Sequence, residues 1–399
     1  MTPLSISEIV AATQAEIVGD LSPQSGVDVI ERDSRRVQPG QLFIAIKGER
    51  LDGHSFVADA AANGASAALV SREWASAHDA KIPLLVVEEP VAALQRLAAK
   101  RRADRGDSLT VIGVTGSIGK TSTKEVVASV IDDRFPTYRS PGNLNNEIGL
   151  PLSLLDVALH HEVAVLEMGG AYAFGELTLL AEIAQPKIGV VTNIHPVHIK
   201  RMGSIEAIAE TKTELVAALP SDGAAILNGD DPRVRAMADR TNARTITYGL
   251  HSDNDVWADQ VVAEALEGTS FRVHIHGEPF HVKVPLVGGH AVDLALAGIA
   301  TGHALGMHIS EMMAGLKDPA IQVRLLVIPG PRGSRLIDDT YNASTPSVLS
   351  ALSLLEQMQP TRAIAVLGDM RELGSLAEEE HRVVGRRAGH VADVLVTYG

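Results

Sequence analysis

The chain has 399 residues, 45% of them hydrophobic and 21% charged, which is ordinary for a soluble globular protein of two or three domains. A net charge of −14 argues against a general nucleic-acid binder, and the absence of cysteine excludes disulfide scaffolds, thiol nucleophiles and thiolate zinc sites. The sequence contains neither a bilayer-length apolar run nor a secretory signal. We therefore expect a cytoplasmic protein without nucleic-acid or membrane partners.

The sequence divides into three segments. Residues 1–106 hold short strands and helices and end in the helix-like stretch ALQRLAAKRRADRG. Residues 107–317 alternate helical patterns with short apolar runs: LTVIGVTG, EVAVLEMG, KIGVVTNI and AAILNGDD. Such runs between helices predict a parallel sheet that is covered on both faces, and hence an α/β fold.

The third segment, residues 318–399, contains three further predicted strands. They are SRLIDDTYN, RAIAVLGDM and DVLVTYG, with helices between them. Because a doubly wound domain usually has about five or six strands, we expect a C-terminal domain that is truncated or, alternatively, naturally short.

A predicted phosphate loop runs from Gly113 to Thr121, as GVTGSIGKT, after the strand LTVI and before the helical STKEVVASVI. Glycines let consecutive backbone N–H groups face phosphate oxygens, and the helix N-terminus adds its dipole. Lys120 would reach the β- and γ-phosphates, and the Thr121 hydroxyl would bind magnesium. Val114 stands where the strict motif has Gly or Ala. A glycine-rich turn without a ligand is the alternative.

Two predicted strand ends carry polar residues where α/β sheets usually place their chemistry. Glu167 ends EVAVLE and could bind a magnesium ion, or it could be an ordinary solvated carboxylate. His195 and His198 follow KIGVVTN on one loop, and the residues alone do not show which of them points inward.

Lys212 falls on the apolar stripe of the predicted helix SIEAIAETKTELVAAL, four residues after Ile208 and three before Leu215. Burial of an ammonium is costly, so we expect a lowered pKa or a special partner. A neutral amine can add carbon dioxide and form a carbamate, an anion that can hold magnesium. A lysine whose ammonium reaches back to solvent is the alternative.

Over essentially its whole length, the chain resembles the Mur ligases. The stretches TGSIGKTSTKE, LEMGG, NIHPVHIKRMGS and ETKTEL carry the resemblance. It implies a three-domain α/β fold: an N-terminal UDP-substrate-binding domain (1–106), a central ATP-binding domain with a P-loop-type parallel sheet (107–317) and an incomplete, Rossmann-like C-terminal domain (318–399). It also implies that ATP and two magnesium ions are used.

By resemblance, Glu167 is the family's magnesium glutamate, His198 rather than His195 is its histidine, and Lys212 is its carbamylated lysine. The implied catalytic residues are Lys120, Glu167, His198 and Lys212. The implied metal ligands are Thr121, Glu167, His198 and Lys212. The implied ATP-binding residues are Gly116, Ser117, Gly119, Lys120, Thr121, Ser122, His290 and Arg324.

Four further stretches resemble the branch of the family that adds D-alanyl-D-alanine to UDP-N-acetylmuramoyl-tripeptide through an acyl phosphate, in peptidoglycan precursor synthesis. They are DSRRVQPGQLFIAIKGERLDGHSFVADAAANGA, SPGNLNNEIGLPLSLL, IDDTYNAS and AVLGDMRELG. The resemblance implies that Ser34 and Arg35 hold the uridine-nucleotide end of the substrate. The remaining implied substrate-binding residues are Asn143, Asn145, Asn146, Asp339, Tyr341 and Asn342. A monomer is expected.

Some positions depart from the family pattern. Ile118 stands where many members carry Asn, and Ala291 and Leu294 stand where the adenine-side helix usually carries asparagines. None of these changes removes a group that phosphate chemistry requires. Two alternatives stay open: a Mur-type ligase that adds a single amino acid, and a nucleotide-binding regulatory subunit without ligase activity.

Overall fold

The computed structural model describes residues 3–170, 173–197, 199–321, 324–371 and 373–399. His198, an expected metal ligand, lies outside the described residues. The chain forms two compact units. Unit 1 comprises the chain up to Leu109, Asn143–Glu162 and Leu179–Gln185, and unit 2 comprises Thr110–Gly142, Val163–Thr178 and Pro186–Gly399. The three-domain boundaries at residues 106 and 317 stay a prediction.

The elements of the described residues are numbered in chain order. The strands are β1 Leu4–Ser5, β2 Glu16–Val18, β3 Gly26–Val27, β4 Ile30–Glu31, β5 Leu42–Ile44, β6 Ala67–Ser71, β7 Leu84–Val87, β8 Thr110–Thr115, β9 Thr137–Arg139, β10 Val163–Glu167, β11 Ile188–Val191, β12 Ala224–Asn228, β13 Arg244–Gly249, β14 Val256–Ala263, β15 Thr269–Ile275, β16 Glu278–Val284, β17 Leu326–Pro329, β18 Arg335–Asp338, β19 Ile364–Gly368 and β20 Val394–Tyr398. The helices are α1 Ile6–Thr13, α2 Val57–Ala62, α3 Arg72–Ala77, α4 Pro90–Arg105, α5 Lys120–Asp132, α6 Gly149–Asp156, α7 Glu176–Ala184, α8 Ile199–Met202, α9 Ile205–Ala217, α10 Pro232–Arg235, α11 Ala291–Ala304, α12 Ile309–Gly315, α13 Thr345–Gln357 and α14 Ala377–Val391.

Unit 1 is built on a five-stranded sheet with the strand order β2-β7-β6-β5-β4. Strands β4 to β7 are parallel, and β2 runs antiparallel to β7 at one edge. Strand β7, with the sequence LLVV, is buried at every residue, as a continuous apolar run requires. The predicted helix ALQRLAAKRRADRG is confirmed as α4, which begins at Pro90 because the Glu89 carboxylate accepts from the N–H groups of Val91 and Ala92.

Unit 2 contains a nine-stranded sheet with the order β16-β15-β14-β13-β12-β11-β8-β10-β9. Strands β8 to β14 pair in parallel, which confirms the predicted strands and the parallel sheet. The antiparallel meander β14-β15-β16 at one edge was not predicted. In β15, every second residue is buried, so the pattern differs from the apolar runs of the parallel strands.

The strand register of unit 2 aligns the carboxyl ends of three neighbouring strands. Glu167 at the end of β10 lies opposite Val114 of β8. Val191 at the end of β11 lies opposite Thr115 of β8. The loops that follow β8, β10 and β11 therefore leave the sheet at one edge, where parallel α/β sheets bind their ligands.

Helix α11 covers this sheet together with α5. The sequence LALAGIATG leaves room for close helix packing, since a Cβ at Gly298 would come 3.0 Å from Val130 Cγ2 of α5. The two helices and the strands beneath them form a buried apolar core that includes Val126, Val130, Leu296 and Ile299. This packing fixes the start of α5 at the carboxyl edge of β8.

The C-terminal part of unit 2 confirms the three predicted strands as β18, β19 and β20. Strands β19 and β20 are parallel, and helix α14 connects them. Strand β18 instead pairs antiparallel with β17 in a separate hairpin, around the turn sequence GPRG. Within the described residues, no helix has the length and apolar character that crossing a membrane requires.

Candidate active site

Two glycines shape the loop between β8 and α5. Gly116 has φ +141°, and a Cβ added there would overlap the Thr192 hydroxyl. Gly119 has φ +82° and directly precedes Lys120, the first residue of α5. Side chains other than hydrogen are disfavoured at both positions. The predicted strand–loop–helix context of the phosphate loop is therefore confirmed, and the loop meets a helix N-terminus that favours anions.

Hydrogen bonds from the loop after β11 hold the phosphate loop in place. Asn193 accepts from the N–H of Ser117 through its backbone oxygen and from the N–H of Ile118 through Oδ1, each at 2.9 Å. The Thr192 hydroxyl donates to the Ile118 oxygen at 2.8 Å, and the N–H of His195 donates to Ser117 Oγ at 2.9 Å. Because Ile118 makes its bonds through its backbone and Ser117 makes the others, the departure from the family's Asn leaves them intact.

Lys120 folds back over the phosphate loop. Its Nζ donates to the backbone oxygens of Gly116 at 2.9 Å and Ser117 at 3.1 Å. Burial lowers the pKa of the Lys120 ammonium from its ordinary value, the Glu167 carboxylate opposes this effect, and Arg324 reinforces it. An anion bound at the loop would meet the Lys120 ammonium directly.

Thr121 and Glu167 form the contact that best fits a metal ion. Thr121 Oγ1 donates to Glu167 Oε2 at 2.8 Å, and Glu167 is 2% exposed. Magnesium prefers hard oxygen ligands of this kind, with phosphate and water oxygens completing the octahedron in phosphoryl-transfer enzymes. In the part of the chain that the structure describes, no group of three or more histidine or carboxylate side chains is arranged to hold a metal.

Lys212 is buried on α9, as its place on the apolar stripe predicts. It is 2% exposed, and its Nζ donates to the backbone oxygens of Gly169, at 2.6 Å, and Gly170. The alternative of an ammonium that reaches solvent is therefore wrong. Burial lowers the pKa of Lys212 well below its ordinary value, and Lys120 lowers it further. The resulting amine lies beside the residues that follow Glu167.

The residues that the family resemblance assigns to the adenine side of ATP lie at the start of α11. His290 precedes the helix, and burial lowers its pKa, with His195 as the next cause. Burial also lowers the pKa of His195. Ala291 is buried and Leu294 packs against the apolar core, so neither position presents a polar group. Ser122, another expected ATP contact, is buried in the first turn of α5.

Arg324 contacts two other expected residues of the C-terminal segment, Asp339 and Tyr341. Arg324 Nη1 donates to the Tyr341 oxygen at 2.5 Å, and its guanidinium carbon lies 4.5 Å from the centroid of the Tyr341 ring. Arg324 also pairs with Asp339 at 3.7 Å. Burial raises the pKa of Asp339, and Arg324 opposes this. Asn342 follows with φ +47°, a left-handed conformation that Asn tolerates better than most residues.

In unit 1, Ser34 and Arg35 form a short helical turn that Asp33 caps. Asp33 accepts from the N–H of Arg35 at 3.1 Å and pairs with its guanidinium at 2.7 Å. This pairing lowers the pKa of Asp33 to about 2. The Arg35 side chain is 86% exposed, whereas Ser34 is buried and its backbone oxygen accepts from Asn63 at 2.8 Å. The Arg35 guanidinium is thus exposed to solvent while it pairs with Asp33.

The three expected asparagines of unit 1 precede α6. Asn145 donates its N–H to the Asn143 oxygen at 2.8 Å. Asn146 Oδ1 accepts from the N–H groups of Ile148, at 3.3 Å, and Gly149, at 2.8 Å. Asn146 therefore orders the start of α6, and its expected substrate role stays a prediction.

Two residues that the sequence analysis did not single out lie close to Thr121 and Glu167 in unit 2. Lys124 on α5 is fully buried, and Ser140, after β9, accepts at Oγ from the N–H of Glu167 at 3.1 Å. The reasoning that selected Lys212 applies equally to Lys124, which lies three residues before the buried Val127. No local pattern marks Ser140.

The comparisons with known proteins cover most of the chain. Residues 114–302 match the Mur ligase middle domain, residues 27–102 the Mur ligase family catalytic domain, and residues 323–399 the Mur ligase glutamate ligase domain. The UDP-N-acetylmuramoyl-tripeptide–D-alanyl-D-alanine ligase of Mycobacterium tuberculosis is 37% identical over 420 residues, which cover 96% of this chain and 81% of the relative.

Two solved structures are similar over nearly the same extent. A crystal structure of MurF from Acinetobacter baumannii matches with a TM-score of 0.89 and 32% identity, covering 100% of this chain and 86% of that one. MurF from Thermotoga maritima in complex with ADP matches with a TM-score of 0.79 and 30% identity, covering 93% and 84%. The chain therefore belongs to the Mur ligase family, and within it to the MurF type.

Proposed function

We propose that this protein is the ATP-dependent ligase that joins D-alanyl-D-alanine to UDP-N-acetylmuramoyl-tripeptide, in the cytoplasm, during peptidoglycan precursor synthesis. The observation that carries the proposal is the 37% identity, over 96% of the chain, to a protein named for that reaction. The ADP complex of the similar Thermotoga protein supports the use of ATP. Neither a single-amino-acid ligase nor a non-catalytic subunit is favoured by these relatives.

The reaction divides into two balanced steps. A terminal carboxylate oxygen of the tripeptide attacks the γ-phosphorus of ATP, and ADP leaves, so an acyl phosphate forms. The amine of D-alanyl-D-alanine then attacks the acyl carbon, loses a proton, and expels phosphate that carries the carboxylate oxygen. Both steps depend on neutralising phosphoryl charge and on holding the reactants in line.

Lys120 and the phosphate loop supply the first requirement. The ammonium of Lys120, which rests on the Gly116 and Ser117 oxygens, would exchange them for phosphate oxygens. Thr121 and Glu167 would hold a magnesium ion, which supplies positive charge to the transferring phosphoryl group when it is bound. His198 belongs to the same proposed set.

Lys212 would act as a carbamate. A neutral amine forms an N–C bond to carbon dioxide and releases one proton, and the lowered pKa of Lys212 makes the neutral amine available. The product is an anion, and we propose that it holds the second magnesium ion. One N–H remains on the carbamate nitrogen for a backbone oxygen such as that of Gly169.

Each unit contributes its own residues to the proposed binding of the other substrates. The exposed Arg35 suits the diphosphate of the uridine-nucleotide end, with Ser34 beside it. Asn143, Asn145 and Asn146 would contact the same precursor. The cluster of Arg324, Asp339, Tyr341 and Asn342 would bind on the ATP and dipeptide side.

Transfer of labelled oxygen tests this chemistry. The tripeptide is prepared with heavy oxygen in its terminal carboxylate and incubated with ATP, magnesium and D-alanyl-D-alanine. An acyl phosphate predicts one labelled oxygen in the released phosphate, and the Lys120→Ala variant should release none. Phosphate without label, at a normal rate of ligation, would contradict the acyl-phosphate mechanism.

A further inference from the structure

Lys124 is a fully buried lysine that the proposed chemistry does not use. It lies on α5, three residues after Thr121, and is 0% exposed. Its Nζ donates to the backbone oxygens of Ser140 and, at 3.1 Å, Gly142. An ammonium without water needs several partners, and two of these belong to the segment that follows β9.

The charge of Lys124 is also compensated. Glu125 Oε1 lies 2.9 Å from Lys124 Nζ, and Glu125 Oε2 pairs with Arg139 of β9 at 3.2 Å. The Glu125–Arg139 pair joins α5 to β9, and the bonds from Lys124 to Ser140 and Gly142 join α5 to the segment after it. An apolar side chain at position 124 could fill the same space but would leave the oxygens of Ser140 and Gly142 without this donor.

The segment that Lys124 holds leads directly to the candidate catalytic carboxylate. Ser140 is 0% exposed, and its Oγ accepts from the N–H of Glu167 at 3.1 Å. Glu167 in turn accepts from Thr121, one turn before Lys124 on the same helix face. The contacts therefore close a ring that runs from Lys124 through Ser140 and Glu167 to Thr121.

We propose that Lys124 is a positioning residue for Glu167. Its ammonium fixes the backbone of Ser140, Ser140 Oγ fixes the backbone N–H of Glu167, and the Glu167 carboxylate is thereby kept at the Thr121 hydroxyl. A change at Lys124 acts on the reaction through this ring, since Lys124 Nζ contacts the backbone oxygens of Ser140 and Gly142. The catalytic part of this inference rests on the proposed function.

Two substitutions break the ring at different points. Lys124→Met keeps the length of the side chain and removes the ammonium, and Ser140→Ala removes only the hydroxyl that accepts from Glu167. Ser129→Ala is the matched control, since Ser129 is a buried serine of α5 whose Oγ donates to the Gly315 oxygen at 2.9 Å, away from the ring. If Lys124→Met fails to fold, Ser140→Ala carries the test.

Hydrogen exchange of the Glu167 amide, measured without nucleotide or metal, is the first readout. We expect exchange about tenfold faster in Lys124→Met and Ser140→Ala than in the parent, and unchanged exchange in Ser129→Ala. The second readout is turnover: kcat should fall about tenfold to a hundredfold and the magnesium concentration for half-maximal rate should rise, since small misplacements at reacting groups are costly.

The double variant tests the coupling. Because both residues act through one path, Lys124→Met with Ser140→Ala should lose no more kcat than the more impaired single variant. Changes confined to thermal stability, with parental Glu167 exchange, kcat and magnesium dependence in Ser140→Ala, would overturn the inference. An inactive parent whose Glu167 amide still responds to both substitutions would instead count against the proposed function alone.

Discussion

The Thr121 hydroxyl donates to the Glu167 carboxylate across 2.8 Å, although the two residues lie 46 positions apart in the chain. The register of β8 and β10 places Glu167 level with Val114, just before the loop that leads to Thr121. Glycines at 116 and 119 then turn the chain so that α5 begins beside the strand end. The pair is the point at which we place a magnesium ion in the proposed reaction.

Glu167→Gln should separate the charge of this residue from its shape. The amide keeps the size and a hydrogen-bonding oxygen for Thr121 but loses the negative charge that a magnesium ion requires. We expect kcat to fall by about a hundredfold or more and the magnesium requirement to rise. Steady-state rates over a magnesium titration measure both effects. Glu182→Gln, an exposed carboxylate on α7, is the control and should behave as the parent.

Lys212→Ala should lose activity by about a hundredfold or more, because both the carbamate and its magnesium ion are removed. Short carboxylates such as formate or acetate should restore part of the rate by occupying the vacated space. Carbon-13-labelled bicarbonate should give a carbamate signal in the parent that the variant lacks. Lys317→Ala, an exposed lysine, is the matched control. Full activity of Lys212→Ala without added carboxylate would exclude the carbamate.

Gly116→Ala should strain the phosphate loop and impair ATP binding, whereas Gly385→Ala should stabilise the protein. At Gly116, the methyl group would overlap the Thr192 hydroxyl at a positive φ, so we expect about 1–3 kcal/mol of local strain and loss of ATP binding. At Gly385, in the middle of α14, an added Cβ meets no atom within 4 Å, and the change should stabilise the protein by about 0.5–1 kcal/mol. Calorimetric titration with ATP and thermal unfolding measure the two outcomes. Unchanged ATP affinity in Gly116→Ala would contradict our account of the loop.

Asp293, in the first turn of α11, should make stability depend on pH. Burial, with repulsion from Asp230, raises its pKa from 3.8 to about 7. A raised pKa in the folded state means that its favourable contribution is complete below about pH 4 and is lost as the pH rises through about 7. Asp293→Asn should therefore raise the thermal midpoint more at pH 8 than at pH 5. Asp222→Asn is the control that should change the thermal midpoint in the opposite direction, because a hydrogen bond from Lys187 lowers the pKa of Asp222. Equal gains for Asp293→Asn at both pH values would refute the assignment.

Local sequence patterns predicted the features that are determined by residues close together in the chain. The strand–loop–helix context of the predicted phosphate loop and the burial of Lys212 both follow from spacing within a single loop or helix, and the structure confirms them. The apolar runs predicted the parallel strands for the same reason, since strands that are buried on both faces need continuous apolar sequence. Whether Lys212 carries a carbamate stays a prediction, because burial prepares the amine but does not identify its modification.

The parts that the sequence analysis missed depend on pairing between distant segments or on weaker patterns. Ser140 meets Glu167 only because β9 lies beside β10, and nothing near Ser140 in the sequence indicates that contact. The meander β14-β15-β16 had a usable signal, the alternation in FRVHI, which a search for apolar runs passes over. The pairing of β18 with β17 likewise follows from a Pro- and Gly-rich turn between them.

Phosphate release from ATP is the most direct test of the proposed function. The protein is incubated with magnesium, ATP and UDP-N-acetylmuramoyl-tripeptide, and D-alanyl-D-alanine is compared with single amino acids as the second substrate. Our account predicts release that requires the dipeptide and that the Lys120→Ala variant does not support. Release that depends on a single amino acid would contradict the proposed substrate, and no release with any acceptor would contradict the assignment of ligase activity to this chain.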